Sequence, residues 1–432
     1  MMTRFHAGGP SARLHAPLAT EPPASRPVEL ADVLAEGAVE VGFQPVVDLA
    51  TRAVVGYEAL ARGPRGTALE RPDLLFAAAR EAGRLDELDW LCQRQALNGA
   101  LAAGLRAPQV LFLNVEPDTS GFMPLQLRTL YARATSQMTV AVEVTERALT
   151  ERPAALLGHV ADMRALGCAV ALDDVGTEAG SLAMMAVLAP EVIKFDLQLV
   201  VGSEEADIAD VVNAVTAQAE HSGATILVER IESEAQAQFA DALGARLAQG
   251  WLYGRRELLT GAPAPPPGVV VRATSRLDPR DTTPFALVSG ARRVRRTGRG
   301  LLRAMSRQLE HHARAAGHGA VLLSAFEHES LFSPDARERY ASLARVVAFC
   351  GVLGQEMPSE PVPGVRGAMV HPSDPLGREW TVTVVSPHLA AALTAYDLGE
   401  EEPDERRYEF VLTYDRELAV GTAASLMARV PG

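Results

Sequence analysis

The chain has 432 residues, of which 48% are hydrophobic and 22% are charged, and its formal net charge is −13. A chain of this length usually needs more than one hydrophobic core, so we expect two or three domains. The acidic balance argues against a general nucleic-acid-binding protein, although a nucleotide substrate stays compatible with a few arginines or metal ions.

Cysteine usage and the N-terminal segment favour a soluble, cytoplasmic protein. Cys92, Cys168 and Cys350 lie far apart in apolar contexts, so we expect buried thiols, with neither disulfides nor a cysteine metal site. Residues 1–27 are rich in Pro, Ala, Gly and Arg, and we interpret them as a disordered tail rather than a signal peptide. No apolar run approaches the roughly 20 residues of a membrane-spanning helix, so we expect no membrane contact.

Residues 28–258 predict a first domain of alternating strands and helices. A short helix over Glu29–Glu36 opens it, and the helical segments that follow include Pro72–Leu105, Pro153–Leu166 and Ile208–His221. The eight predicted strands are Val41–Leu49, Ala53–Leu60, Val110–Val115, Thr139–Thr145, Ala169–Val175, Val192–Leu197, Thr225–Ile231 and Leu247–Tyr253.

This alternation predicts the α/β fold class, with a (β/α)8 barrel of the TIM type. Short apolar strands that alternate with helices pair in parallel and carry the helices outside. The first two strands are joined only by Ala50, Thr51 and Arg52. A connection this short cannot hold a crossover helix, so we expect these two strands to be antiparallel.

A cluster of prolines separates this barrel from a second, smaller domain. We interpret residues 259–282 as a stiff, Pro-rich linker and residues 283–432 as a mixed α/β domain built on one sheet. Its predicted helices are Arg296–Ala315, Pro334–Leu343, His388–Tyr396 and Arg416–Ala428, and its predicted strands are Gly319–Phe326, Val346–Phe349, Trp380–Val385 and Tyr408–Thr413. No helix-turn-helix with a basic face is visible, so we expect no DNA binding.

Polar side chains recur at the ends of the predicted barrel strands. The carboxyl ends of the parallel strands of such a barrel meet at one face, where its active sites lie, so we expect these side chains to come together. They are Glu58, Asn114, Glu143, Glu146, Asp173, Asp174, Lys194, Asp196, Glu229, Glu232 and Gln249.

This set suits metal-assisted chemistry on a phosphoester. Carboxylates and an amide are ligands for hard divalent cations, and the adjacent Asp173 and Asp174 could bridge two ions about 3.5–4 Å apart. Lys194 could orient the attacking water or offset phosphate charge. Taken singly, each acid is more often a solvated strand edge or a cap, but the recurrence from strand to strand favours a site.

The order of these side chains along the sequence resembles the EAL domain, the family of cyclic di-GMP phosphodiesterases. The resemblance covers about Leu30 to Arg256 and keeps the family's order and spacing. The motifs that carry it begin with Phe43-Gln44-Pro45, Glu58-Ala59-Leu60-Ala61-Arg62, Leu113-Asn114-Val115 and Glu143-Val144-Thr145-Glu146, and continue with Asp173-Asp174-Val175-Gly176-Thr177, Ile193-Lys194-Phe195-Asp196, Glu229-Arg230-Ile231-Glu232 and Gln249-Gly250-Trp251-Leu252-Tyr253-Gly254.

The resemblance implies a role for each matching residue. Two ions, Mg2+ or Mn2+, would be held by Glu58, Asn114, Glu143 and Asp173, with Asp174 and Glu229 completing the ligands of the second ion. Lys194 and Gln249 would sit at the attacking water, and Glu146 would brace the loop after the fifth strand. Contacts to cyclic di-GMP are expected from Gln44, Leu60, Arg62, Asp196 and Glu232, with Arg62 suited to a phosphate. The resemblance also implies a homodimer formed through the barrel.

Three positions depart from the family pattern without removing a ligand. Val175 and Glu178 stand where the family usually has Phe and Gly in the loop after the fifth strand, and Arg230 stands where it usually has Gly. The loop contributes to the second metal site and the dimer contact in active members. Reduced or conditional turnover is therefore one expectation beside full activity.

The second domain resembles the DICT sensory domain over about Pro284 to Val430. The matching stretches are Arg339-Tyr340-Ala341-Ser342-Leu343, Asp374 to Trp380 and Phe410 to Leu418. We expect it to regulate the barrel by binding an unknown small ligand or protein. Trp380, Tyr414 and Asp415 could line a pocket, or they could be core and capping residues, which we favour.

Three hypotheses follow for the whole chain. The first is a metal-dependent phosphodiesterase that opens cyclic di-GMP to the linear dinucleotide pGpG. The second is a receptor that holds cyclic di-GMP without cleaving it, and the third is a barrel hydrolase of another phosphoester. The complete ligand set favours the first, while Val175, Glu178 and Arg230 keep the second open.

Overall fold

The computed structural model describes residues 28–116, 123–145, 151–176, 181–197, 205–264, 271–276, 278–399 and 406–431. The tail predicted over residues 1–27 and the site residue Glu146 lie outside these ranges, as does Glu178.

The first domain is a closed eight-stranded barrel whose strands follow one another around it in chain order. Strands β1 and β2 are antiparallel, with Gln44 opposite Glu58, and every following pair up to β7 and β8 is parallel. The predicted barrel with an antiparallel start is thus confirmed. Its strands are β1 Glu40–Asp48, β2 Val54–Arg62, β3 Val110–Asn114, β4 Thr139–Thr145, β5 Ala169–Val175, β6 Val192–Asp196, β7 Thr225–Glu229 and β8 Leu247–Gln249.

Helices cover the outside of the barrel. The predicted helix over Pro72–Leu105 is two helices, because the chain turns at Gly83, whose φ is +65°. The described helices of this domain are α1 Leu30–Glu36, α2 Pro72–Glu81, α3 Leu85–Ala102, α4 Leu125–Thr135, α5 Pro153–Ala165, α6 Ser181–Leu188, α7 Glu205–Ser222 and α8 Glu234–Ala242.

Burial on both faces explains the continuous apolar runs of the strands. In β3, Val110, Leu111, Phe112 and Leu113 are all buried, since alternate side chains point into the barrel and toward the helices. The core inside the barrel includes Phe112 and Leu227. Only the residue that ends the strand, Asn114, is exposed, which leaves the strand ends for chemistry.

The chain leaving the barrel runs across the end opposite to the site. The amide of Gln109 donates to the carbonyl of Pro263 at 3.0 Å, and the hydroxyl of Thr139 donates to the carbonyl of Val271 at 3.2 Å. The side chain of Val271 is buried with the core inside the barrel. This part of the predicted linker therefore packs on the barrel.

The second domain is a seven-stranded mixed sheet with helices packed on it. The strand order is β12-β11-β10-β13-β14-β15-β9, in which β10, β11 and β12 are parallel and the other neighbours are antiparallel. Its elements are α9 Pro284–Ser289, β9 Arg295–Gly298, α10 Arg299–Ala316, β10 Val321–His328, α11 Pro334–Leu343, β11 Phe349–Gln355, β12 Arg366–Met369, β13 Glu379–Val385, β14 Ala390–Asp397, β15 Arg407–Thr413 and α12 Arg416–Met427, with four short 3-10 turns at Pro279–Asp281, Gly317–Gly319, Glu329–Leu331 and Pro375–Arg378.

Three sequence expectations for this domain are wrong in detail. The predicted helix His388–Tyr396 is strand β14, paired on both sides. The predicted helix from Arg296 begins at Arg299, because the preceding residues form β9. The strand expected at Val346–Phe349 begins at its last residue and runs to Gln355.

The sequence left two roles open for Trp380, Tyr414 and Asp415, either lining a pocket or serving as core and capping residues. Asp415 caps α12, because its carboxylate accepts a hydrogen bond from the amide of Leu418 at 3.1 Å. Trp380 packs edge-on against Tyr408 and donates to the hydroxyl of Ser306 at 3.1 Å. Tyr414 is exposed rather than a core residue.

The two domains share one continuous apolar core through helix α6. Every described side chain of this helix, Leu182 to Leu188, is buried. The helix packs on α12 and β13 of the second domain as well as on the barrel. None of the described helices is long and apolar enough to cross a membrane.

Candidate active site

Seven of the predicted site residues lie on successive strands of the barrel, between the middle of each strand and its carboxyl end. β2 and β3 carry Glu58 and Asn114, and β4 and β5 carry Glu143 and Asp173. β6, β7 and β8 carry Lys194, Glu229 and Gln249. The parallel register places these ends at one face, as the strand pattern predicted.

Lys194 lies at the centre of four carboxylates. Its side chain is 1% exposed, and Nζ lies 2.8 Å from Glu229, 3.3 Å from Asp173 and 3.8 Å from Glu58. It also forms an ion pair with Glu143. One buried cation thus faces an excess of negative charge, which is costly unless further positive charge binds.

Two side-chain amides hold Glu58 in place. Gln249 donates to Oε2 at 2.6 Å, and Asn114 donates to Oε1 at 3.2 Å. Gln249 is positioned by the next residue, Gly250, whose φ is +154° and where a Cβ would lie 2.0 Å from the carbonyl oxygen of Ile231. Only glycine fits such a close backbone approach.

The electrostatics of the group follow from this arrangement. Burial raises the pKa of Glu143 and of Glu229, against the opposing effect of Lys194. Burial alone would lower the pKa of Lys194, but Asp173, Glu143, Glu229 and Glu58 raise it well above its ordinary value. A cation held among acids in this way stays protonated.

The donor set fits hard divalent cations. Oε2 of Glu143 and the amide oxygen of Gln249 are buried without a hydrogen-bond donor among the described residues, and Oε1 of Glu143 and Oε1 of Glu229 face the Lys194 ammonium. Oxygen atoms of this kind are ligands for Mg2+ or Mn2+. Among the residues that the structure describes, no three acidic, histidine or cysteine side chains are arranged around a common ion position. The ammonium of Lys194 stands between them.

Two residues beside the site adopt the left-handed backbone conformation that is uncommon outside glycine. Asp174 has φ +57° and Arg230 has φ +58°. The amide of Asp174 donates to Oδ1 of Asp173 at 2.9 Å, and burial, followed by the charge of Asp173, raises the pKa of Asp174. Strain of this type concentrates at functional sites.

Arg230, the residue that follows β7, reaches the buried Asp196 at the end of β6. Its Nε lies 3.0 Å from Oδ2 of Asp196, whose side chain is 3% exposed, whereas that of Arg230 is 55% exposed. The left-handed conformation gives a physical reason for a glycine at this position in the family. Arg230 pairs with an acid rather than entering the carboxylate group.

A cavity of about 790 Å3 opens beside the carboxylates. Glu58, Leu60, Arg62, Asn114, Glu143 and Asp173 line it, so six of the predicted residues share one wall. Arg80 and Arg152 also line it and were missed. Arg80 lies on a helix and Arg152 in a loop, so neither carries the strand-end signal.

The remaining predicted contacts lie further from this cavity. The amide of Gln44 donates to the carbonyl of Gly254 at 3.2 Å. The side chain of Glu232 is exposed, and its backbone amide donates to Gln236 at 2.8 Å. Neither side chain lines the cavity, and their contacts to a substrate stay predictions.

The fold and this group of side chains define an α/β barrel with an acidic site at the carboxyl ends of its strands. The sequence model described as "EAL domain" matches residues 28–256, and the chain therefore belongs to the EAL-domain family. A second match, described as "Sensory domain in DIguanylate Cyclases and Two-component system", covers residues 290–398.

Curated relatives and solved structures match the barrel half. The cyclic di-GMP phosphodiesterase RocR of Pseudomonas aeruginosa is 31% identical over 51% of this chain and 58% of its own length. The probable cyclic di-GMP phosphodiesterase PdeB of Escherichia coli is 28% identical over 52% and 44%, respectively. A structure of BlrP1 from Klebsiella pneumoniae with manganese and cyclic di-GMP is 25% identical over 51% of this chain and 57% of its own, with a TM-score of 0.45. The chain spans 28% to 58% of the length of the first three curated relatives.

Proposed function

We propose that the protein is a divalent-metal-dependent phosphodiesterase that hydrolyses cyclic di-GMP to linear pGpG. The observation that carries this proposal is the ring of buried and partly buried carboxylates around Lys194 at the mouth of an EAL-family barrel. The names of RocR and PdeB support the choice of substrate.

The positions of the site residues suggest a separate role for each of them in this reaction. Glu58, Asn114, Glu143 and Asp173 would hold the cations, with Asp174 and Glu229 completing the set. Bound Mg2+ or Mn2+ would supply Lewis-acid stabilisation of phosphoryl charge and a more acidic water. Gln249 keeps Glu58 in one orientation through its 2.6 Å hydrogen bond.

Arg62 would bind a substrate phosphate. Its guanidinium lines the cavity that borders Glu58 and Asp173, and it is partly removed from solvent. A guanidinium suits a phosphate because its planar donors can form two parallel hydrogen bonds. Lys194, protonated and buried, would stabilise the negative charge that develops during attack.

We also propose that the second domain regulates the barrel. Arg366 of β12 donates to the backbone carbonyl of Glu151 at 2.9 Å, and both Glu151 and Arg152 line the active-site cavity. Helix α6, which follows β5 in the chain, packs on α12 and β13 of the second domain. Movement of the second domain would therefore reach the strand end that carries Asp173 and Asp174.

One assay tests the enzymatic proposal. Purified protein is incubated with cyclic di-GMP and Mg2+ or Mn2+, and the linear dinucleotide is followed by chromatography. We expect metal-dependent product that disappears in Asp173→Asn and persists in Asp241→Asn, an exposed aspartate on α8. Absence of product from the unaltered protein, or product that survives in Asp173→Asn, would refute the proposal.

A second candidate function is a cyclic di-GMP receptor without turnover. The ion pair of Arg230 with Asp196 favours it, because it fixes an acid that the family resemblance places at the substrate. Saturable nucleotide binding without hydrolysis would support this alternative. Homodimerisation through the barrel stays a prediction, which light scattering of the purified protein tests.

A further inference from the structure

A second cleft lies between the two domains and is lined by residues of both. Its volume is about 1050 Å3, large enough for a metabolite. Ala186 and Val187 of α6 and Val160 of α5 form its apolar wall on the barrel side, and Val420 and Ala424 of α12 face them. Pockets of this kind often lie at domain interfaces.

The cleft contains a half-buried cation with no acidic partner. Arg416 of α12 donates to the carbonyl of Ser386 at 2.9 Å and to the amide oxygen of Gln218 at 3.4 Å, both neutral acceptors. Among the described residues, no carboxylate forms an ion pair with this guanidinium, and its pKa is lowered by burial alone. A guanidinium in this setting gains most from an anion.

A second arginine in the cleft holds the end of α6. Arg164 donates to the carbonyls of Leu188 and Ala189 at 3.2 and 2.7 Å, and pairs with Glu191. Its side chain is 10% exposed, and its Nε is buried without an acceptor. Arg164 therefore connects the cleft to the C-terminal end of helix α6.

The charged side chains at the rim of the cleft differ from those in its interior. Asp162, Asp281 and Glu417 are exposed at its rim, together with Arg276 and His221. Asp278 is partly buried but is paired with Arg280 at 2.6 Å. The interior thus offers Arg416 and apolar surface, since Arg164 and Asp278 already have partners of opposite charge.

We propose that this cleft is the ligand site of the regulatory domain and that it binds a small amphipathic anion, a carboxylate or phosphate with an apolar body. The anionic group would pair with Arg416, and the apolar body would lie against α6 and α12. Binding would couple to catalysis through α6, and this coupling rests on the proposed phosphodiesterase function. Binding itself does not.

Two dyes of nearly the same shape test the binding. Anilinonaphthalene sulfonate carries an apolar body and one anionic group, and phenylnaphthylamine is the same body without the charge. We expect saturable sulfonate binding at about one site per chain. Arg416→Gln should weaken it on the order of tenfold, the value of one charge-assisted hydrogen bond, and should leave the neutral dye within twofold.

Three further variants distinguish the effect of the Arg416 charge from the effects of cleft volume and of impaired folding. Arg416→Lys keeps the charge and should retain most of the sulfonate affinity. Ala424→Phe should fill the cleft and weaken both dyes. Arg345→Gln removes an exposed arginine of the same domain, which bonds only to a helix carbonyl, and should change neither. Equal effects of Arg416→Gln on both dyes, or equal effects of the Arg416 and Arg345 changes on the sulfonate, would overturn the proposal.

The coupling is tested in the hydrolysis assay with the sulfonate dye added. We expect at least a twofold change in kcat/KM in the unaltered protein and none in Arg416→Gln. Dye binding without any change in turnover would overturn the coupling. Absence of hydrolysis under all conditions would refute the proposed enzymatic function, while the dye titrations would still decide whether the cleft binds anions.

Discussion

Replacing Lys194 by methionine should destabilise the protein, because the carboxylates around it would lose their counter-charge. The ammonium lies 3.3 Å from Asp173 and 2.8 Å from Glu229, and a pair about 3.3 Å apart is attracted by about 5 kcal/mol at an effective dielectric constant of 20. Removing one partner of a buried pair costs about 3–5 kcal/mol, because the other charge is left behind. We therefore expect the Tm of the barrel to fall on the order of 10 °C in metal-free buffer.

Divalent cations should reverse most of this loss. A ligand at one hundred times its Kd stabilises the folded state by about 2.7 kcal/mol, so Mn2+ should raise the Tm of Lys194→Met by several degrees. Calorimetry with EDTA and with Mn2+ measures both effects, and Arg345→Met serves as the exposed control. An unchanged Tm in EDTA would refute the counter-charge argument. Rescue that survives the added change Asp173→Asn would refute the carboxylates as the cation site.

Three other changes test separate parts of the structure. Arg366→Ala removes the hydrogen bond to Glu151, so it should raise KM for cyclic di-GMP severalfold and leave kcat nearly unchanged in steady-state kinetics. Arg230→Gly relieves left-handed strain of about 1 kcal/mol and frees Asp196 from its ion pair, so kcat/KM should rise while the free energy of unfolding changes by less than about 1 kcal/mol. Burial raises the pKa of Glu379 from 4.5 to about 7, so the folded state binds this proton more tightly. Its stabilising contribution is then lost as pH rises from about 4.5 to 7. Glu379→Gln should reduce the fall in Tm between pH 5 and pH 8.

Two of these changes have a matched control, and the third has an outcome that would contradict it. Arg345→Ala removes a comparable arginine-to-carbonyl hydrogen bond within the second domain and should leave KM unchanged, and a similar rise in KM would contradict the role of Arg366. A lower kcat/KM in Arg230→Gly would show that the arginine assists the reaction. For Glu379, the exposed Glu338→Gln should keep the pH dependence of the unaltered protein, and identical pH profiles for both variants would refute the assignment.

The carboxylate group could be predicted because its members recur along the strands of one barrel, in the middle of a strand or toward its carboxyl end. Parallel strands bring their ends to the same face whatever the loops do, so Asn114 and Glu229 could be assigned to one site from sequence position alone. Arg80 and Arg152 could not be assigned this way. They reach the cavity from a helix and a loop, whose directions depend on packing.

The second domain shows where local patterns mislead. Ala390 to Leu393 predict a helix by intrinsic propensity, yet they form the strand β14 because strands lie on both sides of it. Glycines interrupt the apolar pattern of β11, but Gly354 is required there, since a Cβ would lie 2.3 Å from the carbonyl oxygen of Phe326. The contact of Arg366 with Glu151 spans 215 positions along the chain, and no periodicity reports it.

The apolar surface of helix α6 restricts how the barrel and the second domain can be separated during evolution. A barrel helix that stood alone would need a polar outer face, and the described side chains of Leu182 to Leu188 provide none. Cutting the chain after the barrel would uncover this apolar face, and we expect such a fragment to aggregate. Recombination that exchanged the second domain for an unrelated one would have to change α6 in the same step. The barrel and the second domain are therefore expected to be inherited together as one unit.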